Sequence, residues 1–143
     1  MLFLPFQIGE KAYALAASGV IEVLPLVELS TTRDAPADVA GVFDYRGRFV
    51  PVVDLCVLEL RRPAHRRLGT RMIMVAVTHP TDAAESTPVG LIAENVTEIM
   101  RCEPGDFMPF VQGPRGLTER AEPDALIPAA LRGYLVHARH HAP

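Results

Sequence analysis

Short apolar stretches, separated by glycine, proline and charged residues, follow one another along the whole chain. They are rich in β-branched residues, and their spacing is typical of short strands rather than long helices. Residues 72–77 form a continuous apolar run of strand length, which indicates a central strand buried on both faces. The pattern predicts strands over residues 2–8, 12–16, 20–24, 42–43, 49–53, 72–77, 89–93 and 96–100, and a polar loop over 79–88.

Residues 41–55 join two apolar runs through a polar centre at residues 44–48. This arrangement predicts a β-hairpin in which Gly47 supplies the positive φ of a tight turn. Pro51 cannot donate to a ladder, so the return strand is predicted to be an edge strand or to be bulged. Arg46 would stand at the rigid tip, where its planar guanidinium suits a carboxylate or carbonyl. A solvated turn arginine is the simpler alternative.

The chain also contains an internal similarity. Residues 13–24 align without gaps to residues 89–100, each position being offset by 76 (89 − 13), so that Leu15 matches Leu91 and Glu22 matches Glu98. A repeat of this period predicts two similar subdomains. Chance similarity between two amphipathic hairpins is the alternative.

Composition restricts the class of protein. A length of 143 residues suits a single domain, with a tail over about residues 137–143. An apolar fraction of 49% and a mean hydropathy of +0.18 predict a compact chain. A net charge of −3 argues against the basic surface that is typical of nucleic-acid-binding proteins. Glu22 interrupts the longest apolar stretch, so no membrane span is expected. Residues 1–8 lack the charged start of a signal peptide.

Candidate catalytic groups are few. Asp44 and Asp54 could be paired carboxylates and Cys56 a nucleophile, although Asp54 could equally accept backbone N–H bonds where its strand ends. The histidines at 65, 79, 137, 140 and 141 fall in predicted loops or the tail, and the last three have helical ligand spacing for a metal. Solvated tail histidines are the favoured interpretation. Isolated Cys56 and Cys102 indicate reduced thiols and a cytoplasmic protein. No catalytic motif, cofactor site or metal site is predicted.

Three motifs resemble one known family. These are Gly-Val-x-Asp-x-Arg-Gly at 41–47, Val-Pro-Val-Val-Asp-Leu at 50–55 and Val-Gly-Leu-Ile-x-x-x-Val-x-Glu-Ile at 89–99. Together they resemble the CheW-like family, and the similarity covers about residues 3–110. The family usually has Asn in place of Asp44 and Asp in place of Glu94. The resemblance implies an all-β fold of two packed, five-stranded SH3-like barrels.

The resemblance also implies a function. CheW-like proteins are non-enzymatic adaptors that couple chemoreceptors to the histidine kinase CheA in receptor arrays at the membrane. The expected contacts with the receptor's cytoplasmic tip are Val20, Glu22, Gly41, Asp44, Arg46 and Gly47. The expected contacts with the kinase regulatory domain lie in the barrel containing residues 72–100, namely Met72, Met74, Val89, Leu91 and Val96.

Two related functions remain open beside this one. The adaptor could serve a type IV pilus or another non-flagellar chemosensory system, because the sequence does not identify the output. Alternatively, the chain could be a free-standing protein-binding barrel outside any array. Binding to a CheA-type kinase separates the last possibility from the others.

The C-terminus departs from the family pattern. CheW-like proteins normally end with a second hairpin, and residues 131–136 resemble its first strand. The first hairpin spans 15 residues (41–55), whereas 11 residues remain from 133 to 143. The return strand is therefore predicted to be missing, leaving the second barrel open by about one strand. An open edge invites a strand from a partner or from a second copy, which would give a homo-oligomer.

Overall fold

The structure, a computed structural model, describes residues 1–31 and 33–138, and strands dominate them. The strands are β1 (Leu2–Ile8), β2 (Lys11–Ala16), β3 (Val20–Pro25), β4 (Val39–Tyr45), β5 (Arg48–Asp54), β6 (Arg71–His79), β7 (Asp82–Ala93), β8 (Met100–Arg101), β9 (Phe110–Gly113) and β10 (Gly116–Ala121). The α-helices are α1 (Leu55–Leu60), α2 (Pro123–Leu126) and α3 (Ala129–Ala138). The predicted all-β fold class is confirmed.

These strands form two five-stranded sheets with one shared topology. Sheet A has the order β8-β1-β2-β10-β9, and sheet B has the order β3-β6-β7-β5-β4. Each sheet contains an antiparallel hairpin, β1–β2 or β6–β7, joined to a second hairpin by a parallel pair, β2–β10 or β7–β5. The prediction of two similar five-stranded subdomains is therefore confirmed.

The internal similarity marks the two crossovers between the sheets. Residues 13–24 run from β2 of sheet A into β3 of sheet B, and residues 89–100 run from β7 of sheet B into β8 of sheet A. The two subdomains are consequently intertwined. Residues 72–100, which the sequence analysis placed in one barrel, divide between the sheets, because β6 and β7 belong to sheet B and β8 belongs to sheet A.

Local predictions fail where tertiary contacts set the backbone. β5 lies between β4 and β7 rather than at an edge, and its parallel ladder with β7 begins at Val52, one residue after Pro51. The predicted loop 79–88 is mostly strand, since β6 and β7 pair almost to their turn. Residues 96–100 contain a strand only at Met100. The N–H groups of Val96 and Thr97 instead bond to the carbonyls of Gly69 and Pro5.

The hydrophobic core is centred on β6 and β7. The side chains of Met72, Met74, Val89 and Leu91 are fully buried, and that of Val96 is 3% exposed. The expectation that these five residues contact a kinase is wrong for the folded chain, because none of them presents its side chain on the surface. A long apolar run predicts burial, but it does not distinguish burial inside the domain from burial under a partner.

The chain end also differs from the prediction. Residues 131–136 belong to helix α3, and Leu131 and Leu135, one helical turn apart, are buried against β6 and β7. Arg132 fixes the helix by donating from Nη1 to the carbonyls of Asp124 (2.6 Å) and Ile127 (2.8 Å). The second hairpin expected there is instead β9–β10, which completes sheet A and includes the return strand. The prediction of a missing strand is therefore wrong.

Gly41 occupies a bulge of β4 that requires glycine. Its φ is +156°, and a Cβ atom would lie 2.7 Å from the carbonyl oxygen of Ser30. Gly41→Ala is expected to lower the free energy of unfolding by about 1–3 kcal/mol through this overlap. Chemical denaturation measures the change. Gly19→Ala is the control, since no atom lies within 4 Å of its added Cβ; equal losses in both variants would contradict the account.

Candidate functional site

The β4–β5 hairpin presents its tip through a tight turn at residues 46–47. Both Arg46 (φ 53°) and Gly47 (φ 85°) have positive φ, as a type I′ turn requires. The Asp44 Oδ1 atom accepts a 2.8 Å hydrogen bond from the Gly47 N–H. The predicted hairpin and the role of Gly47 in its turn are confirmed, and the carboxylate of Asp44 is used to hold the turn.

Three side chains meet at this tip, and we call them the tip cluster: Glu22, Tyr45 and Arg46. The Glu22 Oε1 atom accepts hydrogen bonds from the Tyr45 hydroxyl (2.7 Å) and from Arg46 Nη2 (2.8 Å). The Arg46 guanidinium also lies over the Tyr45 ring, 5.0 Å from its centroid. These contacts restrict a long side chain that would otherwise be free in solvent.

The tip cluster also joins the two edges of sheet B. Glu22 belongs to β3 and Tyr45 to β4, which are the first and last strands of the sheet. Beside them, Ser30 and Val42 exchange backbone hydrogen bonds of 2.9 and 2.8 Å. Sheet B therefore curls until its two edges meet. We call the line along which β3 and its following segment meet β4 the closing seam, and the tip cluster lies on it.

Arg46 remains available to donate further hydrogen bonds although it is paired with Glu22. The Arg46 side chain is 71% exposed, and its contact with Glu22 uses one nitrogen of a guanidinium that has five N–H donors. The hydrogen bond to Glu22 raises the pKa of Tyr45 above its ordinary value, and desolvation adds to this, so the phenol remains a donor at neutral pH. Arg46 can thus keep Glu22 and still engage a partner carboxylate or carbonyl.

The structure brings together four of the six candidate receptor residues. Glu22 and Arg46 touch, and Asp44 and Gly47 hold the turn beside them. Val20 is half-buried in β3 opposite Val75, and Gly41 is buried in the β4 bulge. These last two shape the strands behind the tip rather than presenting a side chain at it.

Tyr45 is a site residue that the sequence analysis missed. Its hydroxyl bonds to Glu22, and its ring lies under the Arg46 guanidinium. Aromatic residues are common next to hairpin turns, so Tyr45 does not stand out in the sequence. Its hydrogen bond to Glu22 forms only because β3 and β4 meet in the folded chain. The available signal was the aromatic residue directly before an arginine expected to be immobilised.

A second polar cluster lies where the two sheets join. Glu94 accepts hydrogen bonds from the N–H of His65 (2.7 Å) and of Gly9 (3.2 Å), and from both terminal nitrogens of Arg62 (3.1 and 3.3 Å). Its backbone exchanges two further hydrogen bonds with Gln7 of β1. Burial by itself would raise the pKa of Glu94, but these donors prevail and lower it to about 2. Glu94 is therefore a charged structural clamp.

The groups considered for catalysis have structural roles. Asp54 caps α1 by accepting from the N–H groups of Cys56 (2.9 Å) and Val57 (3.4 Å), and its other oxygen accepts from Ala64 (3.0 Å). This confirms the structural interpretation of Asp54. Burial, as the largest cause, raises the pKa of the Cys56 thiol to about 11, which keeps it protonated and unreactive at neutral pH. Neither residue has the properties of a catalytic group.

Metal ligation has no supporting geometry in the part of the chain that the structure describes. Residues 1–31 and 33–138 contain no group of three or more histidine, cysteine or acidic side chains placed to hold a metal ion. His137 lies in α3, while His140 and His141 fall outside the described residues. The helical ligand spacing of these three histidines therefore remains a feature of the sequence.

An exposed apolar surface lies on the β9–β10 hairpin of sheet A. Phe110 is 46% exposed, Leu117 is 65% exposed, and Met108, just before β9, is 85% exposed. Leu117 pairs with Gln112, so Phe110, two residues from Gln112, shares a face with Leu117. We call these three side chains the β9 patch. It is a candidate for protein contact because an exposed apolar cluster favours burial.

Comparison with known proteins points to one family. The CheW-like domain matches residues 2–121 of the chain. "Protein FrzA" of Myxococcus xanthus is 29% identical over 108 residues, which cover 75% of this chain and 62% of that protein. The chemotaxis protein CheW of Rhizobium meliloti (strain 1021) is 27% identical over 106 residues, 73% of this chain and 63% of that protein. The chain thus spans less than two thirds of these relatives.

A solved structure shares the fold. The scaffolding protein TtCheW from Thermoanaerobacter tengcongensis has a TM-score of 0.74, with 89% of this chain and 87% of that chain covered at 18% sequence identity. The likeness concerns the arrangement of the two sheets. Separately, the described residues include no helix long and apolar enough to cross a membrane.

Proposed function

Because this chain belongs to the CheW-like domain family, we propose that it is a non-enzymatic adaptor that couples chemoreceptors to a CheA-type histidine kinase. It would act in the cytoplasm, at the receptors' cytoplasmic tips. It would act by positioning its partners. An adaptor that binds both proteins holds the kinase where the conformation of the receptor can change the activity of the kinase. No cofactor enters this function.

The observation that carries the proposal is the tip cluster on the closing seam of sheet B. Arg46 stands on a constrained turn, is held by Glu22 and Tyr45, and keeps most of its side chain exposed. A guanidinium held in this way loses less conformational entropy on binding than a free one. We assign the receptor contact to Glu22 and Arg46, with Asp44, Gly47, Val20 and Gly41 supporting them.

The kinase contact is assigned to a different surface from the one the sequence suggested. The β9 patch is apolar and exposed, and Gln112 and Glu119 share its face as polar neighbours. An apolar centre with a polar rim is the usual composition of a protein interface. It also lies in sheet A, whereas the tip cluster lies in sheet B, so the two partners would use separate surfaces.

Phe110→Ala is expected to weaken binding of a CheA-type regulatory domain by about tenfold, because truncating a central aromatic side chain in an interface typically costs more than 1 kcal/mol. Isothermal titration calorimetry measures the change. Leu60→Ala is the control, since Leu60 is 44% exposed and belongs to α1 rather than to the β9–β10 hairpin. Equal affinity of Phe110→Ala and the unmodified chain would exclude the β9 patch as the kinase surface.

Binding of the unmodified chain tests the proposal itself. It is titrated separately with a receptor cytoplasmic fragment and with a CheA-type regulatory domain from an organism that encodes a closely similar chain. The proposal expects saturable binding of both. Binding of neither would contradict the adaptor function and favour a free-standing barrel with other partners.

A further inference from the structure

A groove on sheet B is not used by the tip cluster or the β9 patch. It runs between the end of β3 with its following segment and the loop that leads into β6. It consists of two adjoining cavities of about 480 and 630 Å³, both of which are lined by Leu26 and Arg66. Val23, Leu24 and Leu29 contribute further apolar lining.

Arginines line one end of this groove. Arg66, Arg67 and Arg71 all line the smaller cavity, and all three are exposed. None of them forms an ion pair with another described residue, although five of the other arginines do. Three cations gathered on the smaller cavity of a chain with net charge −3 form a local positive field, while the carboxylates of Glu28 and Asp54 line the adjoining larger cavity.

The loop carrying these arginines is held firmly by buried carboxylates. Asp54 accepts from the N–H of Ala64 (3.0 Å), and Glu94 accepts from the N–H of His65 (2.7 Å). Further along, the carbonyl of Gly69 accepts from the Val96 N–H (2.8 Å). Arg66 and Arg67 are thereby displayed from a fixed backbone, which reduces the entropy cost of engaging a ligand.

Apolar surface accompanies the charge. Leu68 is 95% exposed and lines the same cavity as the arginines. An apolar side chain so fully exposed between cationic neighbours is stabilised when a ligand covers it. The arginines are also better suited than lysines to pair with carboxylates through two parallel hydrogen bonds.

From this combination, we infer that the groove binds an acidic amphipathic segment of another protein. Apolar side chains of the segment fill the cavities beside Leu24 and Leu26, and its carboxylates pair with Arg66, Arg67 and Arg71. The concave shape favours a peptide segment over the flat surface of an anionic membrane. The inference is independent of receptor and kinase binding, since it uses none of the residues assigned to them.

Fluorescence anisotropy tests the inference on the full chain. The probe is a labelled synthetic peptide with leucines on one face and glutamates on the other, compared with the same peptide carrying lysines in place of the glutamates. We expect saturable binding of the glutamate peptide only, weakened by added salt. In isotope-labelled protein, amide shifts should concentrate at residues 23–26 and 66–71. Equal binding of the lysine peptide, or shifts elsewhere, would overturn the inference.

Charge-reversal variants provide the matched comparison. Arg66→Glu combined with Arg71→Glu should weaken the glutamate peptide at least about tenfold, whereas Arg101→Glu, an exposed arginine of β8, should leave it unchanged. Unaltered affinity in the double variant would overturn the inference. A third result would also overturn the inference. If phosphatidylserine vesicles bind in a way that requires Arg66 and the glutamate peptide does not bind, the groove recognises a membrane.

Discussion

Arg46→Glu is expected to weaken binding of a receptor cytoplasmic fragment by about 100-fold. Hydrogen bonds to charged groups contribute about 1.5–3 kcal/mol, and about 1.4 kcal/mol corresponds to a tenfold change in affinity. Charge reversal removes these bonds and adds repulsion towards a carboxylate partner. Surface plasmon resonance with an immobilised receptor fragment measures the effect.

Arg48→Glu supplies the matched control for this experiment. Arg48 is exposed, lies two residues beyond Arg46 and pairs with Tyr45 across the hairpin. The Arg48→Glu variant should alter receptor affinity far less than Arg46→Glu does. An Arg46→Ala variant, which places no second carboxylate beside Glu22, should keep a melting temperature close to that of the unmodified chain, because the replaced side chain is mostly solvated. A large drop in melting temperature would instead identify Arg46 as a residue that mainly stabilises the seam.

Glu94→Ala is expected to lower the free energy of unfolding by about 3 kcal/mol, since it removes a buried carboxylate and leaves the groups that donate to it unsatisfied. The variant leaves Arg62 without its carboxylate and the N–H groups of Gly9 and His65 without their acceptor. Urea denaturation measures the loss. Glu98→Ala, an exposed carboxylate four residues later, should change stability by less than about 0.5 kcal/mol.

The same residue makes stability depend on acid pH. Folding lowers the pKa of Glu94 from 4.5 to about 2, so the folded state favours the ionised form. Its contribution of about 3 kcal/mol is complete above the unfolded pKa and is lost as pH falls from about 5 towards 2. The stability difference between the unmodified chain and Glu94→Gln should therefore shrink over that range. A difference that stays constant from pH 6 to pH 3 would contradict the role of Glu94 as an ionised clamp.

Features determined by local sequence were predictable. The turn at Gly47, the cap formed by Asp54 and the strand at β6 each depend on a few adjacent residues. The similarity of residues 13–24 to 89–100 also identified the two-fold repeat, because each copy encodes a crossover between the sheets. The intertwining of the sheets depends on long-range strand pairing, which short patterns do not specify.

Features determined by tertiary contacts were missed. Thr118, Glu119 and Arg120 make β10 polar, so the β9–β10 hairpin of sheet A was overlooked and residues 131–136 were predicted as the first strand of that hairpin. Leu131 and Leu135 are four residues apart, so they share one face in a helix and also in a strand. Their spacing alone therefore did not distinguish the two, and the packing of α3 against β6 and β7 is visible only in the structure. Likewise, Tyr45 joins the candidate site only because β3 and β4 meet when sheet B closes.

Co-sedimentation with receptor-containing vesicles tests the adaptor function most directly. A CheA-type kinase is mixed with the vesicles, with and without this chain, and the bound kinase is quantified. We expect the unmodified chain to recruit the kinase, Arg46→Glu and Phe110→Ala each to reduce recruitment, and Arg48→Glu to leave it unchanged. Recruitment that is unchanged when the chain is omitted, or that is equal for all variants, would contradict the proposed coupling.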